Sequence, residues 1–157
     1  MKTAVVFISI HHGNTERVAK EIANTLDAKL LRVDEANAES LSEFDLLGFG
    51  SGIYYSKHHK NLLRLVHTLP PLKNKKAFIF STAGVSDQLI QKNMIKNHKA
   101  LRNALTNKGF DVIGDFSCCG LMTWGYYKLL GARNKDRPNL DDLKRARSFA
   151  VDLKRKM

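Results

Sequence analysis

The chain holds only two cysteines and three prolines among 157 residues. The cysteines are adjacent, Cys118 and Cys119, and neighbouring thiols cannot staple distant loops, so a secreted disulfide scaffold is excluded and a cytoplasmic location is expected. Long apolar runs are also missing. Nothing approaches the roughly 20 residues that a spanning helix needs, and Ala4 to Ile8 is too short for an export signal, so neither a transmembrane segment nor a leader is expected. No Gly-Lys-Ser or Gly-Lys-Thr occurs, which removes a Walker-type NTPase. Acidic residues are the last shortage: 15 Asp and Glu face 26 Lys and Arg, a net charge of +11 with a pI near 9.8. Such a balance favours an anionic partner, whether phosphate ligand, acidic protein, nucleic acid or lipid headgroup, without choosing among them.

What is present fits one globular domain over residues 1–157: 43% hydrophobic and 26% charged residues, with length for one real core. Apolar, β-branched or aromatic runs recur at Thr3 to Ser9, Lys29 to Val33, Asp45 to Gly50, Ala77 to Ser81 and Asp111 to Cys118. The first, third and fourth are continuous instead of alternating, as in strands covered on both faces. Between them lie helical periods: Val18, Ala19, Ile22, Ala23 and Leu26; then about His58 to Leu69, ended by Pro70-Pro71; then about Gln88 to Lys108, ended by Gly109. A last helix begins after Pro138, with Asn139 as its cap, Asp141 and Asp142 in its first turn and Lys154, Arg155 and Lys156 at its end. Alternation of this kind predicts an α/β protein: a five-stranded parallel sheet, doubly wound into a three-layer sandwich with strand order 2-1-3-4-5.

In such a sheet ligands bind beyond the carboxyl ends of the strands, where the strand order reverses. The loop after the first strand, Ser9-Ile10-His11-His12-Gly13-Asn14-Thr15, runs straight into a helix whose free amides and dipole suit a phosphate. A polar turn with Asn14 as simple cap is the plainer alternative. The third loop, Ser51-Gly52-Ile53-Tyr54-Tyr55-Ser56, pairs glycine backbone with two aromatics that suit a flat ring. The fourth, Ser81-Thr82-Ala83-Gly84-Val85, brings small residues to a ring edge. Together they describe a mononucleotide with a planar head. Gly48, Gly50 and Gly52 do not make a dinucleotide fingerprint, since no helix opens there and no ribose-binding acid follows. A receiver domain would need acids where Ser9 and His11 stand.

With these loops, Gly48-Phe49-Gly50-Ser51-Gly52-Ile53-Tyr54 and the stretch Asn134-Lys135-Asp136-Arg137-Pro138-Asn139, the chain resembles the flavodoxin family along its whole length. The resemblance implies a short-chain, flavodoxin-like protein that binds FMN noncovalently and moves electrons. The phosphate would go to Ser9, His11, His12, Gly13, Asn14 and Thr15. The isoalloxazine would go to Ser51, Gly52, Ile53, Tyr54, Tyr55, Ser81, Thr82, Ala83, Gly84 and Val85. Two departures stand out: Ile10, His11 and His12 replace the hydroxyl residues usual before the glycine, and the basic charge differs from the acidic surfaces of the family's electron carriers.

The implied partner is a redox protein, an acidic one suiting the charge; an anionic membrane surface stays open and nucleic acid is disfavoured. Two rivals remain: an FMN-dependent oxidoreductase of quinone or protoporphyrinogen dehydrogenase type, and a flavin-free basic binding module. No residue reads as general acid, base or nucleophile, and no metal site is expected, because His11-His12 and His58-His59 lack clustered carboxylates. Cys118 and Cys119 read as packing residues. Lys73, Lys75 and Lys76, with the bases of the last helix, read as solvated faces. The irregular stretch Gly120 to Asn139, with Trp124, Tyr126 and Tyr127, is long enough to be a lid or partner patch.

Overall fold

Residues 1–123 and 127–157 are described by a computed structural model. In chain order the elements are β1 (Thr3–Ile8), α1 (Asn14–Leu26), β2 (Lys29–Arg32), α2 (Ala38–Ser42), β3 (Leu46–Tyr54), β4 (Lys57–His58), α3 (Lys60–Thr68), β5 (Lys76–Ala83), α4 (Asp87–Asn107), β6 (Asp111–Cys119), α5 (Tyr127–Leu130) and α6 (Leu140–Lys156). Five strands pair in parallel in the order β2-β1-β3-β5-β6, while the two-residue β4 pairs antiparallel to the end of β3. The expected order holds for the five long strands. The additional strand is a hairpin that the helical reading of His58 onward conceals: β4 takes Lys57 and His58, and α3 starts only at Lys60, with the His59 ring accepting from the amide of Asn61.

Alternation along each strand sends side chains into two cores. Ala4, Val6, Leu47, Phe49, Ala77 and Ile79 pack with Leu62 and Val66 of α3 and Leu101, Ala104 and Leu105 of α4. Val5, Phe7, Leu46, Phe78, Phe80 and Phe116 pack with Val18, Ile22 and Leu26 of α1 and Ala146, Ala150 and Leu153 of α6. Both faces are covered, which is why these strands read as unbroken apolar runs.

The glycines of β3 serve packing. Gly48 and Gly50 pair with Phe78 and Phe80, and a Cβ on either would lie 2.2 Å from the facing ring. The two phenylalanines therefore lie across β3 in slots that only glycine leaves open. Capping sets the last helix as expected: Asn139 accepts from the amide of Asp142, and the Asp142 carboxylate accepts from the amide of Asn139.

Candidate functional site

Strand order reverses beside β1, between β1 and β3, and the carboxyl ends of β1, β3 and β5 open there into a cleft of about 260 Å³. Its walls are Ile10, His11, His12, Asn14 and Thr15 from the first loop, Gly52 to Tyr55 from the third, Thr82 to Gly84 from the fourth, and Leu121 to Thr123 beyond β6. Of the residues singled out in the sequence, His11, His12, Asn14, Thr15, Gly52, Ile53, Tyr54, Tyr55, Thr82, Ala83 and Gly84 meet here. Ser9, Gly13, Ser51, Ser81 and Val85 do not line it.

The first loop departs from its simplest reading. Gly13, in left-handed conformation with φ 65°, caps α1, and Asn14 is the first helical residue. The Asn14 amide group is spent across the cleft, donating to the carbonyl of Leu121 at 2.9 Å. Thr15 is buried, and its hydroxyl lies 2.9 Å from that of Thr82. His12 Nε2 lies 2.6 Å from the Thr123 hydroxyl. Side chains expected to face a ligand thus stitch the loop to its neighbours. Two other features are left without partners. The amides of Thr15 and Glu16 have no hydrogen-bond partner among the described residues, and the buried hydroxyl of Ser9 has none either.

The third loop is a tight hairpin. Tyr55 and Ser56 both carry positive φ, 50° and 62°, the backbone of a primed two-residue turn built without asparagine or glycine. Tyr54 is half-buried, edge-on to His59 at 5.4 Å between centroids and 6.4 Å from the His11 ring. Burial raises the pKa of its hydroxyl and lowers that of His59, the latter with a smaller push from Lys60. Tyr55 stands 93% exposed at the rim. Glycine again permits close approach at the far wall: a Cβ on Gly84 would strike Met122, and one on Gly120 would strike Asn14.

Beneath the fourth loop lies a buried polar network that distant sequence positions hide. Ser81 Oγ sits 2.8 Å from His98 Nε2 and 2.8 Å from Ser117 Oγ; His98 Nδ1 sits 2.8 Å from Asp115, which Arg102 also binds. A serine, a histidine and an aspartate in file is the arrangement of acyl-transfer enzymes. Here Ser81 and His98 are each 1% exposed and no substrate reaches them, so the network clamps β5, β6 and α4 together. Ser51 is committed likewise, donating to the carbonyl of Gly52 and accepting from the amide of His59.

The β6–α6 segment closes the fourth wall. The amide of Gly120 donates to the carbonyl of Ala83, and Met122 and Arg133 form an antiparallel bridge. Arg137 binds Asp87 and Asp142, whose carboxylates raise its already high pKa further. Trp124 and Tyr126 lie outside the described residues; Tyr127, in α5, accepts from Arg133 at 3.0 Å. Burial pushes both thiols up. Cys119 reaches about 11, with Asp87 adding to the rise, as suits a packing role.

Sheet, switch point and cleft define the class: a doubly wound α/β protein with a cleft at the strand ends. Within that class the chain belongs to the flavodoxin family, whose flavodoxin domain model matches residues 5–117. It is therefore an FMN-binding electron-transfer flavoprotein, with FMN as cofactor. An uncharacterized protein of Methanocaldococcus jannaschii is 46% identical over 153 residues, 98% of each chain. Among solved structures, oxidised flavodoxin 2 from Bacillus cereus aligns over 100% of both chains at 16% identity with a TM-score of 0.71. The Fusobacterium nucleatum flavodoxin bound to flavin mononucleotide aligns over 100% of this chain and 99% of its own, at 16% identity and 0.69. No helix among the described residues is long and apolar enough to cross a membrane.

Proposed function

We propose that the chain is an electron carrier that holds FMN noncovalently in the cleft at the ends of β1, β3 and β5. FMN supplies the redox chemistry when bound, and the protein supplies binding, orientation and electrostatics. One observation carries the reading: a helix start with unpartnered amides, preceded in the same loop by the orphaned hydroxyl of Ser9, opens onto a cleft that Gly52, Tyr54 and Gly84 help to line. The amides of Thr15 and Glu16 and the hydroxyl of Ser9 would take the phosphate. Tyr54 and Tyr55 would stack on the ring, with the Gly52, Ala83 and Gly84 backbone at its edge. Asn14, Thr15 and Thr82 hold the loops in register through their side chains, and Ser51 and Ser81 support the walls from behind.

Paired titrations test this assignment. Ser9→Ala should weaken FMN about tenfold, the worth of one hydrogen bond to a charged group, and leave riboflavin affinity unchanged. Tyr54→Ala should weaken both ligands together. Equal loss of both in Ser9→Ala, or native affinities in Tyr54→Ala, would remove these residues from the site. A carrier also shows no steady-state turnover with quinone acceptors in the absence of a protein partner; sustained turnover would favour an oxidoreductase instead.

A further inference from the structure

Most of the excess positive charge falls in one stretch of the chain. From Leu46 to Phe110 there are eleven Lys and Arg and a single acid, Asp87; the rest of the chain holds fifteen bases and fourteen acids. That stretch contains α3 and α4, which cover one face of the sheet. On the other face, α1 and α6 are laced with ion pairs: Lys20 with Glu16, Arg147 with Glu21, Arg145 with Asp142 and Arg155 with Asp152. Among the described residues, no carboxylate lies within 4.0 Å of Lys57, Lys60, Arg64, Lys92, Lys96 or Lys99, and all six are exposed.

We infer that the α3–α4 face is the docking surface for an acidic protein partner, an inference that rests on the electron-carrier reading above. Leu89, Lys92, Lys96 and Lys99 follow one side of α4, a helix of 21 residues and so about 30 Å long. Leu89 and Ile95 are 42% and 85% exposed among these cations. Two exposed aliphatic side chains on a helix whose Lys92, Lys96 and Lys99 lack carboxylate partners offer apolar contact beside free charge, the mixture found in transient protein interfaces. The chemistry disfavours other polyanions. Five of the six cations are lysines, point charges without the bidentate fork that reads phosphate. Leu89 and Ile95 offer no ring for bases to stack on, and two aliphatics are a slight anchor in a bilayer. The face also borders the cleft: α3 follows the Tyr54 hairpin directly, and α4 follows the Thr82 to Gly84 wall. An acidic partner drawn to these lysines is held beside the cofactor, with an encounter rate that salt screens.

The test compares two charge reversals of equal size in the FMN-loaded protein: K96E/K99E on α4 and K144E/K154E on α6. The probe is an acidic iron–sulfur ferredoxin, oxidised where docking is read from amide chemical-shift changes and reduced beforehand, as the electron donor that is reoxidised, where electron passage is read from stopped-flow flavin reduction. Shift changes should fall on α3 and α4, and the second-order rate should drop at least tenfold between 20 and 300 mM NaCl. K96E/K99E should slow reduction about tenfold at low salt and flatten the salt dependence, while K144E/K154E changes it less than twofold. Equal slowing by both pairs, absent or misplaced shift changes, or tighter binding to anionic vesicles or duplex DNA at 150 mM salt would overturn the docking surface. Docking on α3–α4 without flavin reduction would sustain the surface and sink the carrier reading instead.

Discussion

His58 is 2% exposed, with its ring 4.9 Å from that of His98, and burial together with that neighbour lowers its pKa to about 3. In the unfolded chain the same imidazole titrates near 6.5. Between these values the unfolded state takes up a proton that the folded state refuses, so stability falls as pH drops from about 6.5 toward 3. The expected slope is about 1.4 kcal/mol per pH unit from this group. Asp115 adds to the loss at lower pH. Burial alone would raise its pKa, but His98 and Arg102 outweigh burial and hold it below the ordinary value, so its contribution disappears as pH falls through that depressed pKa. Urea unfolding between pH 5 and 6.5, above the carboxylate range, reads the histidines, with His59, whose pKa is also lowered, adding to His58. His58→Gln should reduce the slope there, leaving the smaller part that His59 supplies, and an unchanged slope would place the titration elsewhere. None of this is visible in the sequence, where His58, His98, Asp115 and Ser81 are scattered and only parallel register and a helix turn bring them together.

At the scale of elements, the hairpin between β3 and β4 holds the most strain. Tyr55 and Ser56 both occupy the left-handed region, which costs an ordinary residue roughly 1 kcal/mol relative to glycine. Ser56→Gly should therefore raise the unfolding free energy by about 1 kcal/mol, read from the urea midpoint at constant m. Loss of stability would show that the serine side chain, not the backbone, holds the turn. This hairpin also marks how far the pattern of residues could be followed. The long helices are legible because each presents an apolar period to one core, and the strands because the central ones feed both cores and read as unbroken apolar runs. The hairpin is not, because a two-residue strand has no period and its turn lacks the usual Asn-Gly. The three loops that meet at the cleft are likewise legible from small and polar residues at strand ends. The fourth wall, Leu121 to Thr123, carries no such composition and is set by the return of the chain after β6. That the Ser51 and Ser81 side chains turn away from the cleft is not legible, because alternation alone does not say which face a strand-end side chain takes.

Across the whole molecule, the opening of α1 is joined to residues more than a hundred positions away, Asn14 to Leu121 and His12 to Thr123. Residues from both ends of the chain must assemble before the pocket has all of its walls. Nicking the backbone between Asn107 and Asp111 would leave one piece with three walls and another with the fourth. Neither piece alone should turn yellow with riboflavin phosphate, whereas mixing them should restore the visible bands to the extent that they reassociate. Colour in the larger piece by itself would show that the last wall is dispensable. Because the pocket is complete only when the polypeptide has closed on itself, a coenzyme held there would double as a check that folding has finished.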